Sequence, residues 1–198
     1  FNQYATTLSL NLPTTPATAT CQRIAPDVAT TPYALKKTFG DAFATFNLAD
    51  KVWTPHKDAR WNPTWEQWGG YNSFTTRRQA AMGEQQVYVD PGFIGWDQSP
   101  LFLNPFSIQP AGTLTITAEA TAPKNLTALN NYPYTSGLIT TRKSHVQTYG
   151  YFEARIKVPY CQGCLAAFWM LPADKDGVVT WPPEKDIMEA PSHKGEII

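Results

Sequence analysis

Trp181-Pro182-Pro183-Glu184-Lys185-Asp186-Ile187-Met188-Glu189 sets three carboxylates within six residues, just past an apolar run from Phe168 to Leu171 that reads as buried strand. Crowded carboxylates raise the cost of ionising one another, so such a cluster beside aromatics usually has a task. Side chains alternate faces along a β-strand, which points Glu184 and Asp186 the same way. Glu189 lies five positions from Glu184, and in a regular strand that odd spacing turns it to the opposite face. One β-bulge near Ile187-Met188 restores it, and bulges are over-represented beside active sites. The two glutamates are then about four pleat steps apart, roughly 13 Å between Cα atoms at a rise of about 3.3 Å. Their long side chains can bring the carboxyl groups to about 5–5.5 Å, the spacing of a retaining glycosidase. Asp186 between them can share a proton or hydrogen bond with a neighbour and help divide the pair into one acid and one base. Taken alone, the stretch also reads as a solvated acidic edge strand whose charges block edge-to-edge association.

The rest of the chain narrows the choice. Its 198 residues suffice for one good core. Sixteen basic and sixteen acidic residues cancel, which argues against a nucleic-acid partner, since that normally needs a basic face. Aromatics make up 13% with seven tryptophans, against only 16% charged residues, a balance suited to a β-protein with sugar-facing or partner-facing aromatics. No run of eighteen apolar residues occurs, so the sequence predicts no membrane-spanning helix. The chain opens at Phe1 with no visible signal peptide, as a mature or trimmed product would. Cys161-Gln162-Gly163-Cys164 reads as a tight disulfide, half a metal site, a redox pair or two free thiols. No second Cys or His pair completes a zinc set, and no βαβ pattern surrounds it. A local disulfide in an exported protein is preferred, which predicts a secreted, periplasmic or extracellular location. Cys21 is left over.

Residues 1–36 are rich in Thr, Ala and Pro and read as an N-terminal tail or linker, although alternating Leu8, Leu10 and Leu12 would allow one strand. From residue 37 the composition becomes globular. Trp53, Trp61, Trp65, Trp68 and Tyr71 fall in a long non-periodic region, read equally as a cleft wall or as aromatics capping a core. Strands are predicted over Gln85–Asp90, Leu114–Ala120, Gly137–Thr141 and Tyr151–Val158, with Leu165–Leu171 apolar enough to be covered on both faces. Nothing shows a helical period. Short strands between turn clusters predict an all-β antiparallel sandwich or barrel. Asn125-Leu126-Thr127 is a formal glycosylation sequon.

Several linked motifs, in order, resemble glycoside hydrolase family 16, the family of laminarinases, lichenases, agarases and carrageenases. Glu184-Lys185-Asp186-Ile187-Met188-Glu189 matches the Glu-x-Asp-x-x-Glu hallmark of its bulged branch. Tyr149-Gly150-Tyr151-Phe152-Glu153-Ala154-Arg155-Ile156-Lys157-Val158-Pro159 is similar to the strand before the catalytic one, and Ala167-Phe168-Trp169-Met170-Leu171-Pro172 to the segment leading into it. Ser136–Thr141, Gly83–Tyr88 and Phe39–Trp53 also resemble family segments, so the likeness runs from about residue 37 to 190. It implies a β-jelly-roll sandwich, of the concanavalin A-like kind, with a concave polysaccharide cleft that cleaves internal β-glycosidic bonds with retention. By position, Glu184 would be the nucleophile, Glu189 the general acid/base and Asp186 the assisting carboxylate. Trp169 and Trp181 match aromatic positions lining the substrate subsites, with core packing as the alternative reading of Trp169.

Three departures accompany the likeness. Lys185 stands where the family usually has an aliphatic residue, and alternation turns it toward the inter-sheet side. There it must snorkel, find a carboxylate or lie where the second sheet does not cover it. Cys161 and Cys164 replace a glycine and an apolar residue of the family's turn, and Leu165 stands where Trp is common, which leaves cleft shape and substrate open. The chain also ends nine residues after Glu189. The expectation is therefore that residues 37–198 form the first part of a jelly-roll domain whose remaining strands come from a second polypeptide or are absent. The substrate expected is a β-1,3 or mixed-linked glucan or a bacterial exopolysaccharide. Two alternatives stand beside the enzyme: a sugar-binding jelly-roll module without turnover, and an incomplete domain with a structural role. No cofactor is expected. A structural calcium ion occurs in the family, but no ligand cluster here supports one. His145 and His193 are read as surface or hydrogen-bonded residues outside the site.

Overall fold

The structure, a computed structural model, describes residues 6–11, 20–21, 33–34, 36–48, 60–64, 72–74, 76–78, 83–110, 112–174, 176–193 and 196–197. Most of the 1–36 segment, and with it Leu12, lies outside these residues, as do Trp53, Trp65, Trp68 and Tyr71. Within them the chain is all-β apart from one 3-10 turn at Pro123–Asn125. Eleven strands form three open sheets, a sandwich-type arrangement without a closed barrel.

The main sheet has six strands: β1 (Thr6–Asn11), β4 (Gln86–Tyr88), β5 (Phe106–Gln109), β6 (Thr113–Ala120), β7 (Tyr134–Ser136) and β8 (Arg155–Lys157). They run in the order β4-β7-β6-β1-β8, with β5 also paired to β6. The strand that alternating Leu8 and Leu10 allow is present, since β1 pairs antiparallel with both β6 and β8. One pair departs from the antiparallel expectation: β4 and β7 run parallel, Val87 opposite Thr135. Parallel neighbours need a long crossover, and the chain between them, which contains β5 and β6, supplies it. Two short strands, β2 (Thr20–Cys21) and β3 (Tyr33–Ala34), pair with each other. The third sheet comprises β9 (Cys164–Met170), β10 (Lys185–His193) and β11 (Glu196–Ile197) in the order β11-β10-β9.

The core lies on the main sheet and the loops beside it. Phe43, Phe106, Leu114 and Ile116 form one cluster, packed against Phe46, Leu48, Trp61 and Ile139. Phe74, Val87, Val89, Phe93 and Leu129 form a second. Trp61 takes the capping role: its ring stacks on Phe43 at 5.8 Å, and its Nε1 donates to Asp41 Oδ2 at 2.8 Å. A half-buried indole needs such a partner for its N–H.

Several predicted strands are shorter than the pattern suggested. Of Tyr151–Val158, only Arg155–Lys157 is in the sheet, and Gly137–Thr141 makes a single bridge, Thr140 to Asn62, while β7 forms just before it. The apolar run Leu165–Leu171 is not covered on both faces, for Leu165 is 61% exposed and Ala167 is exposed too. Within the run only Ala166 is buried, because neither core cluster reaches this sheet.

Candidate active site

The carboxylates stand on β10 and the residue before it. β10 pairs antiparallel with β9, placing Lys185 opposite Met170 and Asp186 opposite Trp169. The register then slips between Asp186 and Met188: Met188 faces Phe168 and Glu189 faces Ala167, with Ile187 as the extra residue. This is the bulge that the odd spacing of the glutamates requires, at the place it requires it. Cross-strand partners share a face. Asp186, Glu189 and Pro191 therefore lie on one side with Trp169, Ala167 and Leu165, and Glu184, two residues before Asp186, extends that side. Lys185, Met188 and Ala190 fall on the other side with Met170, Phe168 and Ala166. Lys185 is exposed, so of its three remedies the uncovered position is the one adopted.

Trp169 is half-buried directly across from Asp186, while Trp181 is 68% exposed. The indole Nε1 of Trp181 donates to Glu184 Oε2 at 2.9 Å, joining one predicted substrate-binding side chain to one predicted catalytic one. All three carboxylates are exposed. The arrangement is an open ledge with an acidic row flanked by two indoles. Among the described residues no three His, Cys, Asp or Glu side chains gather as a metal site would require. Cys161 and Cys164 are joined in a disulfide across the turn that enters β9, with Cα atoms 5.6 Å apart. His145 stacks on Phe39 at 4.8 Å.

Between β9 and β10 the chain folds into a small hairpin held by its own polar groups. Ala173 bridges Val179. Asp174 Oδ1 accepts the N–H of Asp176 at 2.9 Å and of Val178 at 2.8 Å, and the Gly177 N–H donates to the Asp174 carbonyl at 3.0 Å. Gly177 has a φ of +74°, a left-handed backbone that glycine adopts freely and residues with a Cβ rarely do. The Arg142 Nε donates to the Gly177 carbonyl at 2.6 Å. Nothing in the sequence marks Arg142, whose partner is thirty-five residues away in the chain. Asp174 and Gly177 are standard turn residues.

Residues 106–194 match the family described as glycosyl hydrolases family 16. The chain is also similar to two proteins of Rhizobium meliloti (strain 1021) named endo-1,3-1,4-beta-glycanase: ExsH, 40% identical over 158 residues, and EglC, 39% identical over 155. Each comparison covers 78% of this chain and 30% of the relative, so the chain spans less than a third of the length of these relatives. No solved structure matches the chain significantly.

Proposed function

We propose, on the match of residues 106–194 to glycosyl hydrolases family 16, that the chain is a member of that family and that its acidic ledge hydrolyses internal β-glycosidic bonds of a polysaccharide with retention of configuration. The substrate class is a β-1,3 or mixed-linked glucan or a bacterial exopolysaccharide, met outside the cytoplasm, where the Cys161–Cys164 disulfide would persist. The observation that supports this most is the register slip between Asp186 and Met188, which returns Glu189 to the face of Glu184 and Asp186. In the mechanism, Glu184 attacks the anomeric carbon while Glu189 protonates the departing glycosidic oxygen. A covalent glycosyl-enzyme results. Glu189, now a carboxylate, takes a proton from water, which attacks the same carbon and frees Glu184. Asp186, on the same face between them, is the assisting carboxylate. Trp169 and Trp181 offer flat apolar surfaces for sugar rings on either side.

The test is reducing-end release from a panel of β-glucans, galactans and bacterial exopolysaccharides by wild type and Glu184→Gln. We expect one polymer to be cut, with a loss on the order of 10²–10⁴-fold in the variant, the range for removing a positioned catalytic group. Undiminished cleavage by Glu184→Gln would refute the assignment. One observation favours a second reading, carbohydrate binding without turnover: all three carboxylates are open to solvent, which binding alone tolerates. In that case wild type and variant bind one polymer alike, and neither releases reducing ends.

A further inference from the structure

Arg142 ties the β9–β10 hairpin to the core, and the path can be followed group by group. Asn62 is 1% exposed, and its backbone pairs with Thr140 in both directions, at 2.8 and 2.9 Å. Its side-chain Nδ2 donates to the Arg142 carbonyl, and the Arg142 N–H donates to Thr140 Oγ1 at 3.2 Å. Ser144 Oγ lies 2.7 Å from the Arg60 carbonyl and 2.8 Å from that of Thr141, binding the far side of the same segment. Residues 140–144 thus form a strut seated on Asn62, beside Trp61, which packs against the core cluster. From the strut, Arg142 Nε reaches the Gly177 carbonyl at 2.6 Å. Gly177 is buried, and its backbone lies so close to the strut that a Cβ there would come within 2.3 Å of Lys143 Cγ and 3.0 Å of the Lys143 backbone nitrogen. The hairpin is therefore docked as well as internally bonded.

What the hairpin carries gives this contact its meaning. Trp181 lies two residues past the Ala173–Val179 bridge, and its indole N–H holds the Glu184 carboxylate. We infer that Arg142 is a positioning residue that fixes the hairpin against the core and thereby sets where the Trp181 ring meets the sugar chain. This rests on the glycanase reading and names the group that shapes one of its subsites. A guanidinium suits the task because it stays charged and holds a planar fork of donors on a long stem. Glu184 depends on it less, since its neighbour Lys185 is paired to Met170 in the sheet, whereas Pro182 and Pro183 separate it from Trp181.

The experiment compares wild type, Arg142→Ala, Arg142→Lys and Gly177→Ala in the full chain, using amide hydrogen exchange and steady-state kinetics on the polymer that the panel identifies. In Arg142→Ala the amides of Asp176, Gly177 and Val178 should exchange at least about tenfold faster while those of β6 keep their rates, the signature of local opening. KM should rise about five- to tenfold with kcat within about twofold, because ground-state sugar contact is lost and the chemical step is spared. Gly177→Ala should reproduce both effects by displacing the docked turn, and Arg142→Lys should recover part of each. Unchanged hairpin exchange in Arg142→Ala would overturn the inference. So would a fall in kcat equal to the loss in kcat/KM with faster exchange throughout, because that is general destabilisation. A wild type that cuts no polymer counts against the glycanase reading alone, and the clamp is then decided by exchange.

Discussion

Arg77 and Asp90 are the largest electrostatic commitment in the described core, both side chains essentially inaccessible and paired through Nη1 and Oδ2. The guanidinium lies over the Phe93 ring at 4.7 Å, and the second carboxylate oxygen accepts the Gly92 N–H at 2.8 Å. Removing one partner leaves a buried charge, which costs far more than the pair contributes. Asp90→Ala should lower the unfolding free energy by about 3–5 kcal/mol. Urea titration followed by tryptophan fluorescence would show it, and a loss below about 1 kcal/mol would mean that water reaches Arg77. Nearby, burial and then the Glu84 carboxylate push the Tyr88 phenol well above its usual range, so the hydroxyl remains a donor to Glu84 Oε1 at 2.9 Å. None of this was legible in the sequence. Arg77 sits among polar residues with no periodicity, and only the turn that brings Asp90 beside it gives the charge a reason to be inside.

The bulge in β10 was legible, because it follows from counting. An even step joins Glu184 to Asp186 and an odd step separates Glu184 from Glu189, so one extra residue must fall between if all three are to share a face. The same count yields a deletion test. Removing Ile187 restores a regular ladder and leaves Glu189 two steps from Asp186, still on its face. Circular dichroism should stay β-like and cleavage should persist, whereas Glu189→Gln should lose on the order of 10²–10⁴-fold in kcat. A loss as deep as that of Glu189→Gln would show that the shared face alone does not suffice and that the bulge itself is needed. Other elements were read less well. Periodicity predicts β6 as half-buried, yet Thr115 is as inaccessible as Leu114 and Ile116, since this stretch is covered on both sides. β5 gives no clear signal although Phe106-Ser107-Ile108-Gln109 alternates between Pro105 and Pro110; four residues are too few to stand out without the partner strand. The uncovered Leu165–Leu171 run errs in the opposite sense. An apolar strand says what would be favourable to bury, and packing decides how much is.

At the scale of the whole molecule, net charge zero and an acidic ledge separate the two substrate classes that the local geometry leaves together. Glu184, Asp186 and Glu189 share one face and Lys185 lies on the other, so a polymer approaching the ledge meets negative charge. A neutral glucan is held by indole faces and hydroxyl hydrogen bonds, which added salt hardly alters. An anionic exopolysaccharide is repelled by the exposed carboxylates, and salt screens that repulsion once the Debye length falls below about 10 Å, near 0.1 M. Viscometry resolves the difference, since internal cleavage lowers viscosity early. Between roughly 0.05 and 0.5 M NaCl, kcat/KM on a neutral β-glucan should change less than about twofold, whereas on an acidic polymer it should climb severalfold. A steep fall with salt on the acidic polymer would mean that a basic surface beyond the ledge draws the substrate in. The open face described here would then be only part of what the polymer meets.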